Sequence, residues 1–320
     1  MPAVSATAPG KIILLGEHAV VYDRPAIAVP FNGVHAKAIV FATPLAPTSL
    51  VRIEAQAIEL DQTLDQLEAD HPFAIAIRGV MSALGIHWLP ACHIRITSTI
   101  PMAAGMGSSA AVSIALSRAV STFLGHPLAD DVINDIAYQV EVRLHGTPSG
   151  IDNTVISYAR PVYFVRKHPI EFLKVHQQFD LLVADCGIAA ATGPMVSGVS
   201  QRHGEHTEQY EQYFNQIADL VNEARIQLES GSAAKLGPLL IANHQLLRSL
   251  GVSVPELDRL VDAALKAGAF GAKLTGGGGG GNMIALVDEA HVAPVTTALL
   301  ANGAHKTWLA TVPRHEESAS

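Results

Sequence analysis

Strand-like and helix-like runs interleave in both halves of this chain, a pattern that predicts an α+β protein of two domains. The length of 320 residues, 49% of them hydrophobic, is enough for two buried cores. A third observation is a glycine- and serine-rich stretch, Pro101–Ala111, placed between a strand-like run and an apolar-periodic helix. Lys11–Leu15 and Ala36–Phe41 are apolar or alternating runs of strand length, and Cys92–Thr97 is the strand that leads into the glycine stretch. Beyond it Val112, Leu116, Val120 and Phe123 recur at helical spacing, with Gly125 as the stop. Asp130 or Asp131 caps the next helix, which carries Val132, Ile136, Val140 and Leu144 on one face and ends at Gly146.

Pro161–Val165 is a further strand, and Phe179–Asp185 opens the second domain. Helical patterns follow near 204–229, 232–250 and 255–267. Then come a strand around the glycine run 276–281, a helix near 289–302 and a last strand, Thr307–Thr311. The domains are expected at residues 1–175 and 176–320, with a polar tail at Glu316–Ser320.

A formal net charge of −8 leaves no global basic field to hold nucleic acid, so an anionic ligand must be captured locally by backbone amides and a few cations. Cys92 and Cys186, the only cysteines, sit in apolar strand-like runs and read as buried unpaired thiols without metal spacing. No charged-then-apolar signal pattern opens the chain, and no run approaches the about 18 apolar residues of a membrane span. A reducing, cytoplasmic setting without a membrane partner is expected.

Within Pro101–Ala111, glycines let consecutive N–H groups turn into one concavity, and the following helix adds its free N–H groups and positive dipole end. Together these make an anion site suited to phosphate. Ser108 and Ser109 add hydroxyls for N-capping or for a metal ion. Glu141, in the last turn of its helix, reads from position alone as an exposed glutamate balanced by Arg143, although a bound cation would change that balance. Asp152 lies in the turn-rich segment His145–Asn153, either as a turn or cap residue or as a carboxylate on a rigid loop, able to take a proton from a substrate hydroxyl. Lys11, after Pro9-Gly10, is its candidate cation partner and equally an exposed edge charge. The glycines Gly276–Gly281 are flanked closely by apolar strand residues, which favours close approach of another backbone or a ligand over a flexible linker. No P-loop pattern occurs.

Three blocks, Pro9–Ile27, Pro101–Ala111 and Lys273–Asn282, resemble the GHMP kinase superfamily, and two more, His145–Asn153 and Asn243–Ser253, resemble its mevalonate kinase branch. The resemblance runs from residue 9 to 282 in the family's order. It implies an N-terminal domain like domain 2 of ribosomal protein S5 and a ferredoxin-like C-terminal domain. It also implies ATP and mevalonate as partners, Mg²⁺ as cofactor, and leaves a homodimer open. By position in the motifs, Asp152 matches the catalytic aspartate and Lys11 the lysine beside it. Ser109 and Glu141 match the Mg²⁺ ligands. Pro101, Ala104, Gly105, Met106, Gly107, Ser108, Ser109 and Ala110 match the ATP loop. His18 and Thr192 match substrate-side positions. Asp23 stands where a glycine is usual, and Asn282 where many relatives have cysteine. The implied activity is phosphorylation of the C5 hydroxyl of mevalonate. The rivals are other small-molecule kinases of the superfamily, such as phosphomevalonate kinase or a mevalonate-3-kinase, and a noncatalytic sensor, which would have lost Lys11, Asp152 or a metal ligand.

Overall fold

The alternation expected early in the chain extends well past the apolar runs that announce it. In the computed structural model, which describes residues 3–47, 49–101, 104–189 and 192–315, β1 spans Ala3–Leu15 and β2 spans Ala26–Ala42, and the two pair. The described chain forms two compact units, one of residues 1–10, 34–101 and 107–159 and the other of 11–33, 102–106 and 160–320. The residues of β1 and β2 are therefore shared between the units, which interleave along the chain.

In the first unit, residues 36–42 of β2 run antiparallel to β5 (Cys92–Ser98), after the hairpin of β3 (Val51–Ala55) and β4 (Leu60–Thr63). β3 lies parallel to β5. Inward-facing Cys92, Ile94 and Ile96 alternate with outward His93, Arg95 and Thr97, the period-2 signature that made this strand readable. Helices α1 (Pro72–Ala83), α2 (Ser108–Phe123), α3 (Asp130–His145) and α4 (Ile151–Tyr158) complete the unit. α2 packs against α1, α3, α4 and β5, so it is buried almost all round, and its small side chains Ala110, Ala111, Ala115 and Ala119 permit that. Its buried Ser113 satisfies itself on Ala110 O at 2.9 Å.

Residues 43–91, where no element is expected, thus hold a hairpin and α1. His71 caps α1, its Nδ1 accepting from Phe73 N–H at 3.2 Å, with Pro72 as the first helical residue. Gly125 and Gly146 end α2 and α3 as anticipated, both at positive φ. The N-cap of α3 is Ala129, not an aspartate: Asp130 is drawn instead to Arg118 at 2.7 Å.

In the second unit, Ala26–Ala28 of β2 pair with β6 (Val162–Phe164), which pairs with β7 (Glu171–Phe172). β8 (Phe179–Asp185), β9 (Gly271–Thr275), β10 (Asn282–Val287) and β11 (Lys306–Val312) form an antiparallel sheet in the order β11-β8-β10-β9. Numbered within the sheet this is 4-1-3-2, the order of a ferredoxin-like domain. Helices α5 (Thr192–Glu205), α6 (Thr207–Glu229), α7 (Leu236–Ser249) and α8 (Pro255–Lys266) lie between β8 and β9, and α9 (Glu289–Ala301) precedes β11. The strand expected around 276–281 is two strands, and the glycine run is the connection between them. No helix among the described residues is long and apolar enough to cross a membrane. Cys92 and Cys186 are buried free thiols, as expected, and burial pushes the Cys92 thiol up to about 12.

Candidate active site

In the second unit, the end of β1 delivers Lys11 into the interior at 3% exposure, which excludes the edge-charge reading. Its backbone N–H donates to Met106 O at 3.0 Å, fastening β1 to the glycine loop. Two residues on, Ile13 O accepts from the Thr275 hydroxyl at 2.8 Å, which ties the same strand to β9. After β1 the chain turns through Gly16 into Glu17, His18 and a 3-10 turn, Ala19–Tyr22.

Glu17 and Lys273 form a salt bridge at 1% and 0% exposure, and the Lys273 ammonium also donates to Leu274 O at 2.6 Å. Burial pushes the Glu17 carboxyl up and the Lys273 ammonium down, while each charge opposes the shift of the other. Lys11 acts electrostatically on both. Removing one member of such a pair is expensive because it strands a buried charge.

His18 sits at φ +61 and 5% exposure, with Nε2 2.9 Å from Gly277 O. Burial lowers its pKa to about 4, so the ring is neutral near pH 7 and donates Nε2–H to that carbonyl. Asp23 ends the 3-10 turn at φ +59. That left-handed backbone favours glycine, and aspartate is among the few other residues that tolerate it.

The glycine run answers the question its composition raised. A Cβ on Gly276 would lie 3.3 Å from Gly105 Cα and O, so the second glycine cluster lets the first approach backbone to backbone. Asn282, fully buried at the start of β10, donates its amide Nδ2–H to Ala104 O at 2.5 Å. Thr192 begins α5, but its side chain, like Met102 and Ala103 of the glycine stretch, lies outside the described residues.

The first unit carries the remaining candidates. Pro101 is half-buried there, and Gly107 is the N-cap of α2 at φ +72. Half-buried Ser108 and Ser109 and buried Ala110 form the first turn of α2. The serine hydroxyls make no cap bond, so the capping use expected for them is not realised. Glu141 is buried at 4% exposure and lies 3.6 Å from His145 Nε2, while Arg143 pairs instead with Asp70 at 2.6 Å. The exposed, Arg143-balanced glutamate is therefore corrected. Asp152 is not on a loop: it stands in the first turn of α4, after Gly150 at φ +92, where the helix dipole favours a carboxylate. The next residue, Asn153, anchors the turn through Nδ2 to Asn134 Oδ1 at 2.7 Å.

The sequence matches the GHMP kinases N terminal domain over residues 72–160 and the GHMP kinases C terminal domain over 224–305. It is 36% identical to the mevalonate kinase of Thermococcus sibiricus, over 94% of each chain. It is 33% identical to that of Pyrococcus horikoshii, over 94% of this chain and 93% of that protein. The chain belongs to the mevalonate kinase family of GHMP kinases. The fold agrees: the crystal structure of L. major mevalonate kinase in complex with R-mevalonate superposes with a TM-score of 0.83 at 28% identity, covering 99% of this chain and 97% of that one.

For a GHMP kinase, the candidate residues fall into two local groups. Lys11, His18, Ala104, Gly105 and Met106 belong to the second unit, and Pro101, Gly107, Ser108, Ser109, Ala110, Glu141 and Asp152 to the first. Sequence reasoning left Glu17 and Lys273 without a role. The available signal was a lone charge set inside an apolar run, Leu14-Leu15-Gly16-Glu17 and Gly271-Ala272-Lys273-Leu274, where only a paired charge is tolerated.

Proposed function

We propose that this enzyme transfers the γ-phosphoryl group of ATP to the C5 hydroxyl of (R)-mevalonate, giving 5-phosphomevalonate and ADP. The observation that carries the reading is Lys11, a lysine at 3% exposure whose own backbone is hydrogen-bonded to the glycine loop, so that a buried cation and a phosphate-type loop are built as one piece. Phosphoryl transfer passes through a loose transition state in which positioning and charge stabilisation supply most of the catalysis. The loop Ala104–Gly107 and the first turn of α2, Ser108 to Ala110, would hold the ATP phosphates with backbone amides, with Pro101 leading into the loop. Asp152 aligns the C5 hydroxyl and takes its proton late, as the O5–P bond forms and the bond to ADP breaks. Lys11 stabilises the charge that develops on O5.

Glu141 is a carboxylate at 4% exposure near the negative end of a helix, a setting whose cost a divalent cation offsets, and Ser109 offers a neutral oxygen. These two residues would hold Mg²⁺, which when bound neutralises phosphate charge. His18 and Thr192 would face the acceptor, with the two family domains divided near 175/176 and the enzyme working in the cytoplasm without nucleic acid. A coupled ADP-release assay across mevalonate, phosphomevalonate, galactose and homoserine tests the reading. Mevalonate alone should turn over, with phosphorus NMR showing a 5-phosphate. A 3-phosphate, or faster turnover of phosphomevalonate, overturns it.

A further inference from the structure

The glycine loop is held by its carbonyls. Met106 O accepts from Lys11 N–H, and Ala104 O accepts from the Asn282 side chain at 2.5 Å. The first is a backbone bond that any residue at position 11 other than proline would make. The second depends on one side chain, Asn282.

Asn282 stands on a firm base. In register it is flanked by Thr275 on β9 and Asp185 on β8. The preceding Gly281 is pinned on both sides, its N–H donating to Ile188 O at 2.8 Å and its carbonyl accepting from Cys186 N–H at 2.9 Å. A Cβ on Gly281 would come within 3.2 Å of Ala104 O, so the loop carbonyl lies directly against this strand start. An amide N–H is a full-strength donor here, whereas a thiol is a weak one.

We infer that Asn282 is a positioning residue for nucleotide binding: by engaging the Ala104 carbonyl it fixes the loop with that oxygen's lone pairs turned into the protein, away from the phosphate anion the loop amides receive. The inference rests on the phosphate role proposed above for Ala104–Gly107. A carbonyl released from this bond is free to swing toward the anion, where its negative dipole end opposes binding. The penalty falls on the nucleotide and not on the acceptor.

The test uses the full-length protein and three variants: Asn282→Ala, Asn282→Asp and Asn282→Cys. ADP binding with MgCl2 is measured by calorimetry, and KM is measured separately for ATP and mevalonate. Loss of one buried hydrogen bond predicts about tenfold weaker ADP binding and an about tenfold higher KM for ATP in Asn282→Ala, with the KM for mevalonate unchanged within twofold. Asn282→Asp, which keeps the shape but cannot donate when ionised, should be at least as impaired, and Asn282→Cys should fall between wild type and Asn282→Ala. Melting temperatures measured in parallel separate a structural role. Variants that melt earlier yet bind ADP as wild type, or that raise both KM values equally, overturn the inference. Failure of the wild type to bind ADP overturns the phosphate-loop reading instead.

Discussion

Asp152 and Glu141 show how far a residue's setting changes what its type alone suggests. Both are carboxylates near a helix end, but Asp152 lies in a first turn, where the dipole favours it, and Glu141 is buried in a last turn, where the dipole opposes it. Asp152→Asn keeps the size and shape of the side chain in that first turn and should leave the fold intact. We expect that substitution to lower kcat by about 10²–10⁴-fold, because the amide cannot accept the hydroxyl proton. ADP affinity and melting temperature should stay near wild type. A rate within a few-fold of wild type would remove Asp152 from the chemistry. These candidates were readable because motif spacing survives in one dimension. What was not readable is burial: nothing in the letters around Glu141 distinguishes a carboxylate at 4% exposure from one in solvent, since that depends on how α3 is rotated against its neighbours.

The same limit governs the elements. β5 and α8 announce themselves because each buries one face or stripe with the matching period, as Leu257, Leu260, Val261 and Ala264 do on α8. α5 contains Gly193, Pro194, Gly198 and Gly204 and is a helix despite its composition, held by tertiary bonds such as Arg202 Nε to Tyr210 OH at 3.0 Å and Arg202 to Leu250 O at 2.7 Å. The β9–β10 connection was read correctly as a close-approach device, although its partner, Gly105, could not be named from spacing. Its glycines are not equivalent to turn glycines elsewhere. Gly278 has φ +73, and a Cβ there would fall 2.1 Å from Val252 O, a backbone atom. Gly146, at φ +72, has open space around the same point. Gly146→Ala thus carries only the strain of a positive φ, whereas Gly278→Ala adds to such strain a clash that the hairpin must move to relieve. Urea unfolding should show the alanine at 278 costing clearly more than the alanine at 146. Equal midpoints would mean that the glycine run is slack and that Gly278 is not held against Val252 O.

At the scale of the whole molecule, the two buried neutral histidines make stability depend on pH. Burial lowers His18 and His244 from 6.5 to about 4 each, His18 against Gly277 O and His244 between Asp258 at 3.1 Å and the Leu274 N–H, with Lys273 and Arg248 adding positive charge around His244. Between about pH 6.5 and 4 the unfolded chain binds protons on these rings that the folded chain refuses. The stability they contribute is therefore complete above pH 6.5 and is lost as pH falls toward 4. A drop from 6.5 to about 4 corresponds to about 3 kcal/mol for each ring over the full window. The Glu17 carboxyl, pushed up by burial, works in the opposite direction, so the histidine term has to be isolated by substitution. His244→Gln keeps an acceptor for Leu274 N–H and has no proton to gain. The wild-type melting temperature should fall from pH 6.5 to 5, a range in which most carboxylates are still ionised in both states, and His244→Gln should fall less steeply over the same range. Parallel curves would show that His244 carries its proton in the folded enzyme, paired with Asp258, and that burial does not keep it neutral.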